Sequence, residues 1–255
     1  MANPVWTGAT DNSWSTTTNW STGAVPVTGD NVTLSGTVPI TSGLSQSGVT
    51  LASLIVLPNG VTCGTLTTPL AISASLVICP APTGNQISQG ITRLNLNLGS
   101  NAAEVVVQST GTSLDSGLDP VRITGSNASN ALTVSGGIVG LGTNLTTDTP
   151  TFPTITVTGG QLTCGIGLVD NGALTLTGGT VIANNRPASG AMWTTVTING
   201  QTNSTPILDC SKSAATGTIT NRNQYNGVFK WAYPGQITIT NDNAGSFYQR
   251  TVSSM

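Results

Sequence analysis

Short runs of alternating apolar and hydroxyl residues return along this chain at a nearly fixed spacing. Val32-Thr33-Leu34, Leu54-Ile55-Val56 and Leu76-Val77-Ile78 begin 22 residues apart. After an irregular middle the pattern resumes as Leu132-Thr133-Val134, Ile155-Thr156-Val157, Leu174-Thr175-Leu176, Val196-Thr197-Ile198 and Ile237-Thr238-Ile239. A period of two within each run is that of a strand, with Leu, Ile and Val on one face and Thr on the other. Threonine suits the outer face because it is β-branched and adds no charge. Gly-Gly or Asn-Gly pairs close many runs, as at Gly136-Gly137, Gly159-Gly160, Gly178-Gly179 and Asn199-Gly200, and mark turns that need positive φ.

A sequence period of this length signals a stack of coils, each burying its apolar face against its neighbours. Segments with helical periodicity are almost absent. The expected fold is therefore all-β: one domain, a right-handed parallel β-helix of ~22 residues per coil. The expected organisation is an N-terminal cap over 1–30, a solenoid body over 31–221 and an aromatic C-terminal cap over 222–255. The period falters over 85–130, where a lateral loop or altered coil is expected. Further excursions are expected at Asn144 to Pro153 and at Arg186 to Ala191.

Aromatic residues sharpen the picture of the ends. Trp6, Trp14 and Trp20 lie in the first 20 residues, and none follows until Phe152. Phe152 and Trp193 stand alone before Tyr225, Phe229, Trp231, Tyr233, Phe247 and Tyr248. Bulky rings would break the ladders of a narrow lumen, whereas the ends of a stack expose apolar core and unpaired backbone that must be covered. Rings cover such ends efficiently, at ~150–250 Å² each. The two clusters are read as end caps, and the same nine terminal residues are the candidates for attachment to a partner.

Charge and chemistry narrow the function. Only 6% of residues are charged and the net charge is −2, against ~25% charged in ordinary domains. The seven basic residues are scattered singly, which argues against nucleic acid. No basic amphipathic helix or long apolar run points to a membrane. The first residues, Met1-Ala2-Asn3-Pro4-Val5-Trp6, lack the basic and apolar regions of an export signal.

The chain has no histidine, so the usual serine and cysteine triads are not expected. Lys212 has no companion for a Ser-Lys dyad. Asp115 and Asp119, on a loop, and Asp148 and Asp170, one nominal coil apart, read as turn formers before they read as a paired-carboxylate site. Cys63, Cys79, Cys164 and Cys210 form no CxxC pair and are expected as small buried residues. No catalytic residue, cofactor or metal is expected.

The N-terminal elements Trp6-Thr7-Gly8, Trp14, Asn19-Trp20, Val25-Pro26 and Asp30-Asn31-Val32 resemble the opening cap of β-solenoid surface and virion proteins, including bacterial adhesins and phage structural proteins. With no export signal read from the sequence, the resemblance implies the phage branch. It implies a non-enzymatic virion protein, made in the host cytoplasm, acting as a capsid decoration (cement) protein or short fibre. The implied partners are the major capsid protein or other virion proteins, with a homotrimer as the implied assembly. The alternative is a carbohydrate-binding adhesin, receptor-binding fibre or tailspike, in which Trp193 and the C-terminal rings stack on sugar.

Overall fold

A computed structural model describes residues 1–65, 67–81, 83, 91–108, 121–141, 152–164, 172–183, 190–200, 203–211, 217–231, 236–244 and 250–251. Strands come in chain order as β1 (Asn31–Leu34), β2 (Ser45–Val56), β3 (Thr62–Cys63), β4 (Leu70–Cys79), β5 (Arg93–Asn97), β6 (Glu104–Val107) and β7 (Val121–Thr124). They continue as β8 (Ala131–Val134), β9 (Ile138–Leu141), β10 (Thr154–Val157), β11 (Gln161–Cys164), β12 (Ala173–Leu176) and β13 (Thr180–Ala183). The last are β14 (Gly190–Asn199), β15 (Ile207–Asp209), β16 (Gly217–Asn226), β17 (Val228–Lys230), β18 (Ile237–Ala244) and β19 (Arg250–Thr251). A 3-10 turn at Thr17–Asn19 precedes them.

Every named pairing is parallel, and the pairings form a β-solenoid. One ladder stacks β1, β2, β4, β6, β8, β10, β12, β14, β16 and β18 in that order. The other stacks β3, β5, β7, β9, β11, β13, β15, β17 and β19. Each coil gives one strand to each ladder, with β4 pairing also with β5 at Leu70 and Ala71, and strands that are near in sequence never pair as hairpins. The mean spacing between coils is about 23 residues. Locally it varies: Asn31 faces Ser53, 22 residues on, whereas Thr154 faces Ala173, 19 on. Two wide steps, Leu76 to Glu104 and Glu104 to Ala131, fall where the sequence period falters; the step from β14 to β16 is as wide as the second of them at Gly190 to Gly217.

The register explains the alternation. Val32, Leu54, Val77, Val105, Leu132, Ile155, Leu174 and Val196 form one continuous inward column, and all are buried. Fully burying such a side chain contributes ~1.5–3 kcal/mol. The neighbouring outward column is Thr33, Ile55, Ile78, Val106, Thr133, Thr156, Thr175 and Thr197.

Tight turns join the ladders. Gly137, Gly160 and Gly179 hold φ of 69°, 70° and 69° at equivalent corners. A Cβ on Gly160 would lie 2.6 Å from the backbone of Gly136 and Gly137 in the coil beneath. Only glycine fits a corner that is both left-handed and this closely stacked. The excursions expected at Asn144 and Arg186 lie almost wholly outside the described residues.

Candidate functional site: the two ends of the solenoid

At the N-terminal end the three tryptophans form one packed group. Trp6 and Trp20 meet edge to face with ring centroids 5.1 Å apart, and Trp14 and Trp20 at 4.7 Å. None is more than 2% exposed. The Trp20 indole N–H donates to the Trp14 carbonyl at 2.8 Å, and that of Trp6 to the Val38 carbonyl at 3.0 Å. Asn19 is fully buried beneath the loop. Its Oδ1 accepts from the Thr10 and Asp11 amides, while its Nδ2 donates to Asp11 Oδ1 and the Ser13 carbonyl. One side chain thus satisfies both halves of a tight loop, which explains the Asn-Trp pair in the motif.

The backbone edge of β1 is covered as well. Trp6 N–H donates to the Thr33 carbonyl, Thr33 N–H to that of Pro4, and Asn31 N–H to that of Ala2. Asp30 fixes this segment by accepting from the amides of Val27 and Ala2. Those two bonds, Val27 first, hold its carboxyl below the usual value. The Asp11 carboxyl is lowered chiefly by the Ser13 amide, then by Asn19 and Thr16. The N-terminal end is sealed in its apolar core and along the backbone edge of β1, although the buried Trp14 indole N–H has no hydrogen-bond partner among the described residues. Its rings are inside, so Trp6, Trp14 and Trp20 offer no surface to a partner in this conformation.

The C-terminal end is built differently. The inward column continues past Val196 to Arg222 and then Asp242. Arg222 is 1% exposed, stands 5.3 Å over the Phe229 ring and grips Asp242 with Nε and Nη2. A paired, ring-stacked guanidinium is how a charge survives at such a position. Gln224 and Gln236 are buried nearby, donating to the carbonyls of Gly227 and Cys210. Phe229 and Trp231 pack at 5.1 Å and are 1% and 9% exposed. Tyr225, at 62%, is the exposed aromatic of this end among the described residues.

Outside this polar plug runs an amide ladder. Asn241 Nδ2 donates to Asn221 Oδ1 at 2.9 Å, and Asn243 Nδ2 to Asn223 Oδ1 at 3.1 Å. β16 crosses residues 221 and 222 without a break, so the C-terminal aromatic segment is continuous with the solenoid body. The alternation alone hides the inward charge: Arg222 lies three residues after the buried Ile219, and the burial pattern slips at Thr220-Asn221 between them.

Of the nine attachment candidates, the structure thus leaves Tyr225 accessible, with Phe229 and Trp231 in the core. Tyr233, Phe247 and Tyr248 lie outside the described residues. So do Asp115, Asp119, Asp148, Asp170 and Lys212. Trp193, the candidate sugar platform, is 3% exposed. The four cysteines are buried and no disulfide joins them; burial pushes the Cys63 and Cys79 thiols up to about 12. Among the described residues no three His, Cys, Asp or Glu side chains gather as metal ligands. On the flank, a cleft of about 200 Å³ is lined by Ser47, Ser73, Asn97 and Asn101 beside Gly99 and Ser100. Asn101 Nδ2 donates to Ser73 Oγ, which donates to the Leu98 carbonyl.

Comparison with protein-family models, with curated proteins and with solved structures gave no match to this chain.

Proposed function

We propose that this chain is a non-enzymatic structural protein of a bacteriophage particle, a capsid decoration protein or a short fibre. The observation that carries the reading is the contrast between the two ends of a nearly uncharged rod. One end is sealed by Trp6, Trp14 and Trp20. The other presents Asn241 and Asn243 on the exposed β18, with Tyr225 exposed one coil before it. A rod closed at one end and presented at the other suits a protein that attaches by an end and displays its Thr-faced flank. The resemblance of the N-terminal motif to phage solenoid caps supplies the biological setting.

On this reading the partner at the presented end is the major capsid protein or another virion protein. Assembly as a homotrimer is part of the proposal. Ile55, Ile78 and Val106 are half-buried on the outward face, where the rest of the column is threonine, and a lateral contact would cover them.

A second reading, carbohydrate recognition by a fibre or adhesin, has one observation in its favour. The cleft at Ser73 and Asn101 is uncharged, and hydroxyl and amide groups, which recognise neutral polyols, stand in its lining beside Ala71 and Ile72. It lacks an aromatic platform, which is why the first reading is preferred.

The test is composition. Particles purified through a density gradient are digested and this chain is quantified by peptide mass spectrometry. The proposal expects many copies per particle, co-sedimenting with the capsid protein. A chain left wholly in the soluble fraction of the lysate would overturn it.

A further inference from the structure

β18 pairs with β16 on one edge, and among the described residues no strand pairs with its other edge. Its exposure matches that position. Thr238, Thr240, Asn241, Asp242 and Asn243 are exposed, and Ile237 and Ile239 are half-buried. One coil earlier, the residues they stack on, Gly217 and Ile219, are fully buried. Among the described residues, the stack therefore ends with apolar side chains partly in water and with no strand paired beyond β18. β18, Ile237-Thr238-Ile239-Thr240-Asn241-Asp242-Asn243-Ala244, contains no lysine and no proline, two common guards of an exposed edge. The opposite end of the ladder is covered by Ala2 to Trp6.

We infer that the edge of β18 away from β16, unpaired among the described residues, is a docking site for an extended segment of a partner protein, added as the next parallel strand and carrying side-chain amides opposite Asn241 and Asn243. The amide ladder has a direction. Asn221 Nδ2 donates down the stack to the Thr194 carbonyl and Thr195 Oγ1, and Asn241 and Asn243 donate in turn to Asn221 and Asn223. The final coil therefore turns the Oδ1 acceptors of Asn241 and Asn243 outward. A segment that continues the ladder must bring donors to them, as asparagine or glutamine does.

Charge sets the residue between. The next strand would lie ~4.8 Å from β18, so a carboxylate opposite Asp242 would be repelled. A neutral or basic residue is admitted there, as Arg222 is in the coil beneath. Asp242 thus makes the edge selective: it disfavours promiscuous apolar strands and accepts an amide-cation-amide segment. The chain's own Asn221-Arg222-Asn223 has that chemistry and already stacks on Asn241-Asp242-Asn243 from the other side. Strand addition of this kind takes affinity from main-chain bonds and specificity from alternate side chains.

The inference concerns the chemistry of the edge and stands whether or not the chain belongs to a virion. The probe is a fluorescent peptide spanning residues 217–226, titrated into the purified full chain and read by anisotropy, with hydrogen exchange mapping the contact. Saturable binding is expected, with slowed exchange confined to Ile237–Ala244. Replacing the peptide's Asn221 and Asn223 by aspartate should weaken binding at least ~tenfold, equivalent to ~1.4 kcal/mol. The protein variant N241L/N243L, with unchanged circular dichroism, should lose a similar factor. Equal binding of a scrambled peptide, slowed exchange elsewhere, or no binding would each overturn the inference. None of these results bears on whether the chain is found in particles.

Discussion

Trp20 touches both other rings of the N-terminal group and donates to the Trp14 carbonyl. Trp20→Ala removes the centre of a fully buried cluster and should cost ~3–5 kcal/mol, read as a lowered thermal midpoint. Asp30 gives the same end a pH dependence. Its folded pKa lies below the unfolded value, so its stabilisation is complete above ~3.9 and is lost as pH falls through the folded value. Tryptophan emission should therefore shift red under acid, and Asp30→Asn should lessen that pH dependence while lowering stability at neutral pH. An emission spectrum unchanged through that range would contradict this account. At the residue scale the sequence disclosed which rings mark the ends, because their spacing is visible. It did not disclose that Trp6, Trp14 and Trp20 face inward, since capping and docking ask for the same side chains. Arg222 escaped notice for a related reason: one charged residue breaks an apolar column whose other members were matched by type.

Coil corners and ladders are the natural units at the next scale. Gly160→Ala meets two penalties together, a positive φ and backbone of the coil beneath at 2.6 Å. Strain of the first kind alone costs ~1–3 kcal/mol, and close-packed backbone cannot easily relieve the second. Chemical denaturation of that variant should show a loss of at least this size, whereas Gly36→Ala, with open space around its Cβ, should show the dihedral cost alone. Equal losses would mean that the coils are less tightly stacked than described. The short four-residue strands were legible, because a period of two inside a longer period leaves few alternatives. The longer β2, β4, β14 and β16 were not, because they bend at corners where alternation is lost, as the register shift between Ser45 and Thr50 shows. The irregular middle was legible only as a loss of period, and the structure gives that loss its form: steps of 28 and 27 residues between Leu76, Glu104 and Ala131.

As a whole the molecule is a stack whose energetics are those of neighbours, coil upon coil. The first ladder makes nine parallel steps from β1 to β18, a length on the order of 45 Å at ~4.8 Å per step. Its inner columns supply cohesion without charge, its outer threonines meet water, and its two ends differ. The first two of these properties follow from a repeat that the sequence displays openly. The end-to-end contrast came from the structure, because closure by Ala2 to Trp6 and exposure of β18 depend on backbone pairing that no residue type encodes. The proposed role rests on that contrast. It is tested most directly by cryo-electron microscopy of purified particles at a resolution that separates strands. The account predicts rods on the order of 45 Å in length, each joined to the shell or tail through the coils that carry Tyr225 and β18, with the tryptophan-sealed end away from the contact. Particles lacking such rods, or rods seated by the Trp6-Trp14-Trp20 end, would contradict it.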